Sequence, residues 1–369
     1  LVPAYNCGTE LDALLYSGAR IVGYQVSRRC EVDLDDLIAR RSSRTRAVYL
    51  IHYFGWEQPM EELRRWCDEQ GLWLIEDCAL ALFSPGPSGT IGRTGDAAIF
   101  SLPKTLGFWH GGLLSLPASR AVDMPRLAPA GFPALFKEIR QCARAAILEG
   151  LERLGLYGAL LSARRLKRSC QILDPDTGLP QMPANYYFNP RIDAERALHS
   201  RVVAVAASLC CEKIVRRRRG NYARLAGALD GIVGAKSLYP QLPEGVCPLS
   251  LPLLVSHRDA CVKALNSRGI AAYPWWAGFH RSGIAWSQFP DACWLKQNML
   301  TLPIHQALDD RDLNYIVETV AQVLPSISTG SQVAPSTPAN QASVSSPSSS
   351  ARSDLAVGAE RNDGGFVSS

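Results

Sequence analysis

Short apolar runs that end abruptly in polar residues dominate the first third of this chain and restrict its fold. Trp73-Leu74-Ile75 runs into Glu76-Asp77, and Ala97-Ala98-Ile99-Phe100 runs into Ser101 and then Lys104. Further strand signals lie at Ile21–Tyr24, Ala47–Tyr53 and Leu113–Leu116. Near-continuous apolar strands are the mark of a parallel sheet covered on both faces. Between two of them, Met60, Leu63, Trp66 and Cys67 repeat at helical spacing and Gly71 follows as a stop, predicting a helix over Met60–Gln70. Alternating strands and helices predict an α/β fold with a mostly parallel sheet. In such sheets the polar residues at the strand ends line the ligand crevice. A carboxylate (Asp77) and an amine (Lys104) delivered to one crevice are what pyridoxal phosphate (PLP) requires. The amine condenses with the aldehyde, and the carboxylate keeps the pyridine nitrogen protonated.

The pattern extends beyond two residues. In order come Val2-Pro-Ala-Tyr5, Gly18-Ala19, Ser43-Arg-Thr-Arg-Ala47, His52-Tyr-Phe-Gly55, Ile75-Glu-Asp77, Gly95-Asp96, and Phe100-Ser101 with Lys104 and Gly111-Gly112. Leu302-Pro-Ile-His305 and Leu308-Asp-Asp-Arg-Asp-Leu313 follow near the far end. Together they resemble the DegT/StrS-type sugar aminotransferases, over roughly residues 1 to 324. The resemblance implies a fold type I PLP-transferase-like large domain with a mostly parallel sheet covered by helices, plus a smaller C-terminal α/β domain. It implies transfer of an amino group from an amino-acid donor, glutamate or glutamine, to a keto sugar, nucleotide-linked in most of the family, in polysaccharide, cell-surface glycan or secondary-metabolite biosynthesis. Lys104 would be the cofactor lysine and later the base that moves the proton. Asp77 would pair with the pyridinium nitrogen, and Ser101 would contact the phosphate. Asn189, within Asn189-Pro-Arg191, would reach the phosphate in a neighbouring subunit, which implies a homodimer with a shared active site. Tyr5, His280, His305 and the pair Trp275-Trp276 are candidates to line the substrate pocket.

The chain departs from the family pattern at several places. The family carries a segment ahead of Val2-Pro-Ala-Tyr5 whose Gly-Thr/Ser turn donates backbone N–H groups to the phosphate. That turn is expected to lie outside this chain, which is either a fragment or has an incomplete cofactor grip. Leu80 stands where many relatives carry a donor to the cofactor's phenolic oxygen, Cys7 stands near their stacking aromatic, and His110 stands where an acidic residue commonly precedes Gly-Gly. A second reading therefore stays open: a catalytically silent relative that binds a ligand or a partner.

Expected organisation is a large PLP-binding domain over 1–193, an interdomain helix and small domain over 194–325, and a disordered Ser/Pro-rich tail over 326–369. The 369 residues are 47% hydrophobic, enough for a sizeable core. Residues 135 to 170 read as helical, about 194 to 229 as one long helix, and about Asp310 to Leu324 as a final amphipathic helix. In the small domain, strands are expected at Leu249–Val255 and Ile270–Tyr273, around a helix that opens at Ser256 and closes at Gly269. A net charge of +5 with 20% charged residues calls for neither nucleic acid nor an anionic membrane. The basic clusters at Arg164-Arg165, Lys167-Arg168 and Arg216–Arg219 read as solvated helix faces. The 11 cysteines include no C-x-x-C pair and no metal-ligand spacing, so no metal is expected and the thiols read as reduced, in a cytoplasmic protein.

Overall fold

The computed structural model describes residues 1–108, 111–120, 180–182, 197–281 and 284–330, with scattered positions between 127 and 147. Leu1–Ser331 forms one compact unit. The chain opens with β1 (Val2–Pro3), α1 (Thr9–Tyr16), β2 (Gly23–Tyr24), α2 (Leu34–Ala39) and β3 (Ala47–Ile51). It continues through α3 (Met60–Gln70), β4 (Trp73–Asp77), β5 (Ala97–Ser101), α4 (Leu102–Leu106) and β6 (Gly112–Ser115). Strands β3, β4 and β5 pair in parallel, and β6 closes the sheet antiparallel to β5. β1 pairs in parallel with β2, and the Tyr49 N–H donates to the Leu1 carbonyl at 2.9 Å, bringing β1 alongside β3. The expected mostly parallel α/β sheet is therefore present.

Helix α3 forms where its apolar spacing placed it. Met60, Leu63 and Cys67 are buried, and Gly71 ends the helix at φ 64, a conformation that favours glycine. The main core joins Tyr5, Tyr24, Leu50, Ile51, Tyr53, Phe54, Leu63 and Leu74, with Ala292, Leu295 and Met299 contributed from the far end of the chain.

The C-terminal part holds α5 (Ser200–Ser208), α6 (Cys211–Leu229), β7 (Lys236–Ser237), β8 (Leu251–Leu254) and α7 (Arg258–Asn266). After these come β9 (Tyr273–Pro274), α8 (Pro290–Asn298), β10 (Met299–Leu302) and α9 (Asp310–Gly330). Its sheet has the order β7-β8-β10-β9 and is antiparallel throughout. A second core joins Leu225, Leu251, Leu253, Val262, Leu265, Leu300, Leu302, Leu313 and Val320.

Several local expectations are corrected. The stretch expected as one long helix breaks between α5 and α6, where Leu209 and Cys210 are extended. Ser256 does not cap α7; His257 precedes it at φ 51 without a side-chain capping bond. The last helix continues to Gly330, past Pro325 and into the start of the expected tail. The basic run in α6 is not a uniformly solvated face, because Arg218 is buried and Arg219 half-buried. Asn189, Cys142, His110, Arg164, the rest of the tail and most of 135–170 lie outside the described residues.

Candidate active site

The register of the main sheet assembles the site. Asp77 sits opposite Ile99 on neighbouring parallel strands, and Ser101 sits opposite Gly112. The C-terminal ends of β4 and β5 thus present Asp77 and Ser101 at one edge of the sheet. Ser101 then serves as the residue before α4, whose last turn carries Lys104. Ser101 makes no side-chain capping bond there, and its hydroxyl has no hydrogen-bond partner among the described residues.

Asp77 is half-buried and held at both oxygens. The Tyr49 hydroxyl donates to Oδ2 at 2.9 Å, and the Ala79 N–H donates to Oδ1 at 2.8 Å. An ionised carboxylate has about four acceptor positions, so two remain for a ring N–H. Burial pushes the Tyr49 phenol well up, and the neighbouring Asp77 charge adds to this, which keeps Tyr49 protonated as the donor. Lys104 is exposed, and among the described residues its ammonium has no hydrogen-bond or ion-pair partner. Its charge does reach Cys7: burial pushes that thiol up to about 12, Glu10 adds to the shift, and Lys104 opposes it. Cys7 donates to Glu10 Oε2 at 2.6 Å.

A buried network stands behind these strand ends. Glu76 alternates with Asp77 and shares the buried face of Leu74. Its carboxylate accepts from the N–H groups of Gly92 (2.7 Å), Thr94 (3.0 Å) and Gly95 (2.5 Å), and from His52 Nε2 at 3.0 Å. Since His52 Nδ1 accepts the Gln58 N–H at 3.3 Å, the ring proton sits on Nε2 and is donated to Glu76. Burial alone would raise the Glu76 carboxyl; the bonds from His52 and Gly95 outweigh it and hold the carboxyl below its ordinary value. A side chain at Gly95 would strike the Leu74 carbonyl and the Glu76 side chain, so glycine allows this close approach. Cys78 lies with His52 and Glu76 in a buried triad of metal-ligand type. The four bonds to Glu76 already occupy its acceptor positions, so the triad has no carboxylate lone pair to offer a cation.

Of the remaining candidates, Tyr5, Trp275 and Trp276 share one aromatic cluster. Tyr5 is fully buried; its ring stacks on Tyr53 at 5.7 Å and lies 5.4 Å from Trp276, and its hydroxyl donates to the Trp275 carbonyl at 3.2 Å. His280 is buried, with Nε2 2.8 Å from Asp12 Oδ1. His305 is exposed just beyond β10, and its carbonyl accepts from Asn221 at 3.0 Å. Trp275 and Trp276 stack on each other at 5.6 Å. Neither Tyr5 nor His280 faces open space.

The sequence reading missed Lys296. It is fully buried in α8, and its three ammonium protons go to the carbonyls of Asn6 (2.8 Å), Trp276 (3.1 Å) and Gly278 (2.9 Å). The rings of Tyr5, Phe279 and Trp286 stand 5.3–5.8 Å from Nζ, within cation–π range. Burial pushes its pKa down to about 8, against a weaker opposite pull from Glu10, Cys7 and Cys293. The native state therefore releases this proton before the unfolded chain does. Between about pH 8 and 10.5 the unfolded state binds more protons, so this group's contribution to stability rises with pH. In urea titrations from pH 7.5 to 10, wild type should gain roughly 2 kcal/mol relative to Lys296→Met. A constant difference across that range would mean that Lys296 titrates as it does in the unfolded chain.

Residues 1–124 match the sequence pattern of the DegT/DnrJ/EryC1/StrS aminotransferase family. That match covers about the first third of the chain. Similarity to individual enzymes continues further along the chain. The dTDP-4-dehydro-2,3,6-trideoxy-D-glucose 4-aminotransferase of Saccharopolyspora spinosa is 26% identical over 336 residues, covering 86% of this chain and 76% of that protein. The GDP-perosamine synthase of Vibrio cholerae is 30% identical over 126 residues, which is 33% of this chain and 34% of that enzyme. Among solved structures, Helicobacter pylori PseC, an aminotransferase involved in pseudaminic acid biosynthesis, superimposes with a TM-score of 0.61. That match covers 88% of this chain and 79% of PseC at 16% identity, and shows a shared fold.

Proposed function

We propose that this protein is a PLP-dependent aminotransferase of a keto sugar, nucleotide-linked as in the named relatives, with glutamate or glutamine as amino donor. The observation that carries the reading is the convergence of Asp77, Ser101 and Lys104, the last without a partner among the described residues, at one end of two adjacent parallel strands. The donor set fits the cofactor: Asp77 keeps two acceptor positions, Ser101 keeps its hydroxyl, and Lys104 keeps its amine.

When bound, PLP supplies an aldehyde that carries the amino group and a ring that accepts electrons. Asp77, fixed by Tyr49 and Ala79, would hold the ring N–H and orient it. Ser101 would donate to the phosphate, as would Asn189 of a second copy in a homodimer. Lys104 would bind the aldehyde carbon, then take and return the proton at the carbon bearing the amino group. We place the enzyme in the cytoplasm; among the described residues no helix is long and apolar enough to cross a membrane. The proposed division remains a PLP-binding domain over 1–193 and a small domain over 194–325.

Asp77→Asn removes the charge and keeps the shape. Breaking a buried charge pair costs ~3–5 kcal/mol, and if half is felt in the transition state, turnover falls by about tenfold to a hundredfold. Single-turnover rates with PLP-loaded protein test this, and wild-type rates in the variant would remove Asp77 from the role. The second reading, ligand binding without turnover, is favoured by Leu80, which packs in the main core and offers no hydrogen-bond donor. A folded protein that develops no visible absorption band with PLP would put that reading first.

A further inference from the structure

Arg218 is 2% exposed, and among the described residues no carboxylate pairs with it. Its guanidinium meets neutral acceptors: the carbonyls of Pro248 (3.1 Å) and Leu249 (2.5 Å), and Gln306 Oε1 (2.8 Å). A buried charge without a counter-charge is a poor way to gain stability. What it does achieve is geometric. Along α6, Arg217 donates to the Leu308 carbonyl, Arg218 to the Gln306 side chain, and Asn221 to the carbonyls of Ile304 and His305. One helix thereby pins the whole segment 304–308. From it Gln306 Nε2 reaches the Thr105 carbonyl at 3.2 Å. Thr105 lies in α4, next to Lys104, and carbonyls in a helix's last turn lack intrahelical partners.

We propose that Gln306, clamped by Arg218, is a positioning residue that fixes the end of α4 and thereby the direction in which Lys104 projects. The proposal rests on the reading of Lys104 as the cofactor lysine. It joins the α6 side of the chain to the reactive amine through two hydrogen bonds, with no contact between Gln306 and a ligand required.

Gln306→Glu separates positioning from general support. A carboxylate at 306 accepts from Arg218 more strongly than the amide does. It has no N–H to give the Thr105 carbonyl. The thermal midpoint should hold or rise, while the Gly107 amide, bonded to the Pro103 carbonyl at the end of α4, should exchange with deuterium about fivefold faster in the cofactor-free full chain. Gln306→Leu should show the same faster exchange together with a lowered midpoint. In a second readout, PLP is fixed by borohydride and located by peptide mapping. Labelling of Lys104 should proceed several-fold more slowly in Gln306→Glu than in wild type. Unchanged Gly107 exchange in both variants would overturn the strut itself. Unchanged labelling rates with faster exchange would overturn its role in positioning Lys104. Wild-type protein that takes no label at Lys104 would instead overturn the cofactor reading, a separate failure that the exchange data distinguish.

Discussion

With Lys104 in its proposed role as the cofactor lysine, Lys104→Ala should abolish the visible absorption band expected from the wild-type chain with PLP, and should lower transamination by at least about 10³-fold. The size follows from two losses at once: the amine that holds the aldehyde and the group that moves the proton, the latter alone worth 10² to 10⁴. Because Lys104 is exposed and makes no hydrogen bond among the described residues, the melting profile should be unchanged, so the loss reads as chemistry rather than unfolding. Lys104→Arg should fail equally, since a guanidinium stays protonated and cannot attack. The measurement is a PLP titration of the two proteins followed in the visible. A band that persists in Lys104→Ala and vanishes in Lys296→Met would transfer the role to Lys296, a buried lysine with a pKa near 8.

Glu76→Ala should be the most damaging single change to the fold near the site. It would strand the N–H groups of Gly92, Thr94 and Gly95 and the His52 ring proton in the interior. Leaving a buried donor without its acceptor costs about 1–3 kcal/mol, so several stranded together remove a large fraction of a typical stability of about 5–15 kcal/mol. Urea unfolding followed by tryptophan fluorescence measures it; a loss under about 1 kcal/mol would mean that water reaches the cleft and replaces the carboxylate. The same group sets an acid limit. Its folded pKa lies below the ordinary value of 4.5, so its stabilisation is complete above about pH 4.5 and is lost as pH falls through the lower folded value. Glu76→Gln should be less stable at neutral pH and show a shallower decline in acid.

What was readable beforehand followed from local rules. Alternation of apolar runs and helical spacing gave β3, α3, β4 and β5, and a strand's exit from the sheet gave Asp77, Ser101 and Lys104. Glu76 carried a readable signal that went unused: in Trp73–Asp77 it shares a face with Leu74, and a carboxylate on a buried face must find donors. The Gly92–Gly95 stretch offered them. Lys296 and Arg218 could not be found this way. Their partners come from Asn6 and from Gln306, far away in sequence, and helical periodicity places both residues as ordinary surface cations. The expected capping at Ser256 failed because the chain enters the helix one residue later, through the exposed His257 at φ 51.

The Lys296–Asn6 bond spans 290 residues of chain. During synthesis the loop after β1 therefore waits for its clamp while the intervening chain is made, roughly 15–60 s at ordinary elongation rates. Over that interval Tyr5 and Tyr53 lack Trp276, and the main core lacks Leu295 and Met299. Competence to retain a cofactor should then arise late, as the last quarter of the polypeptide leaves the ribosome. Nascent chains stalled short of α8 would be clients for holding chaperones rather than early cofactor binders.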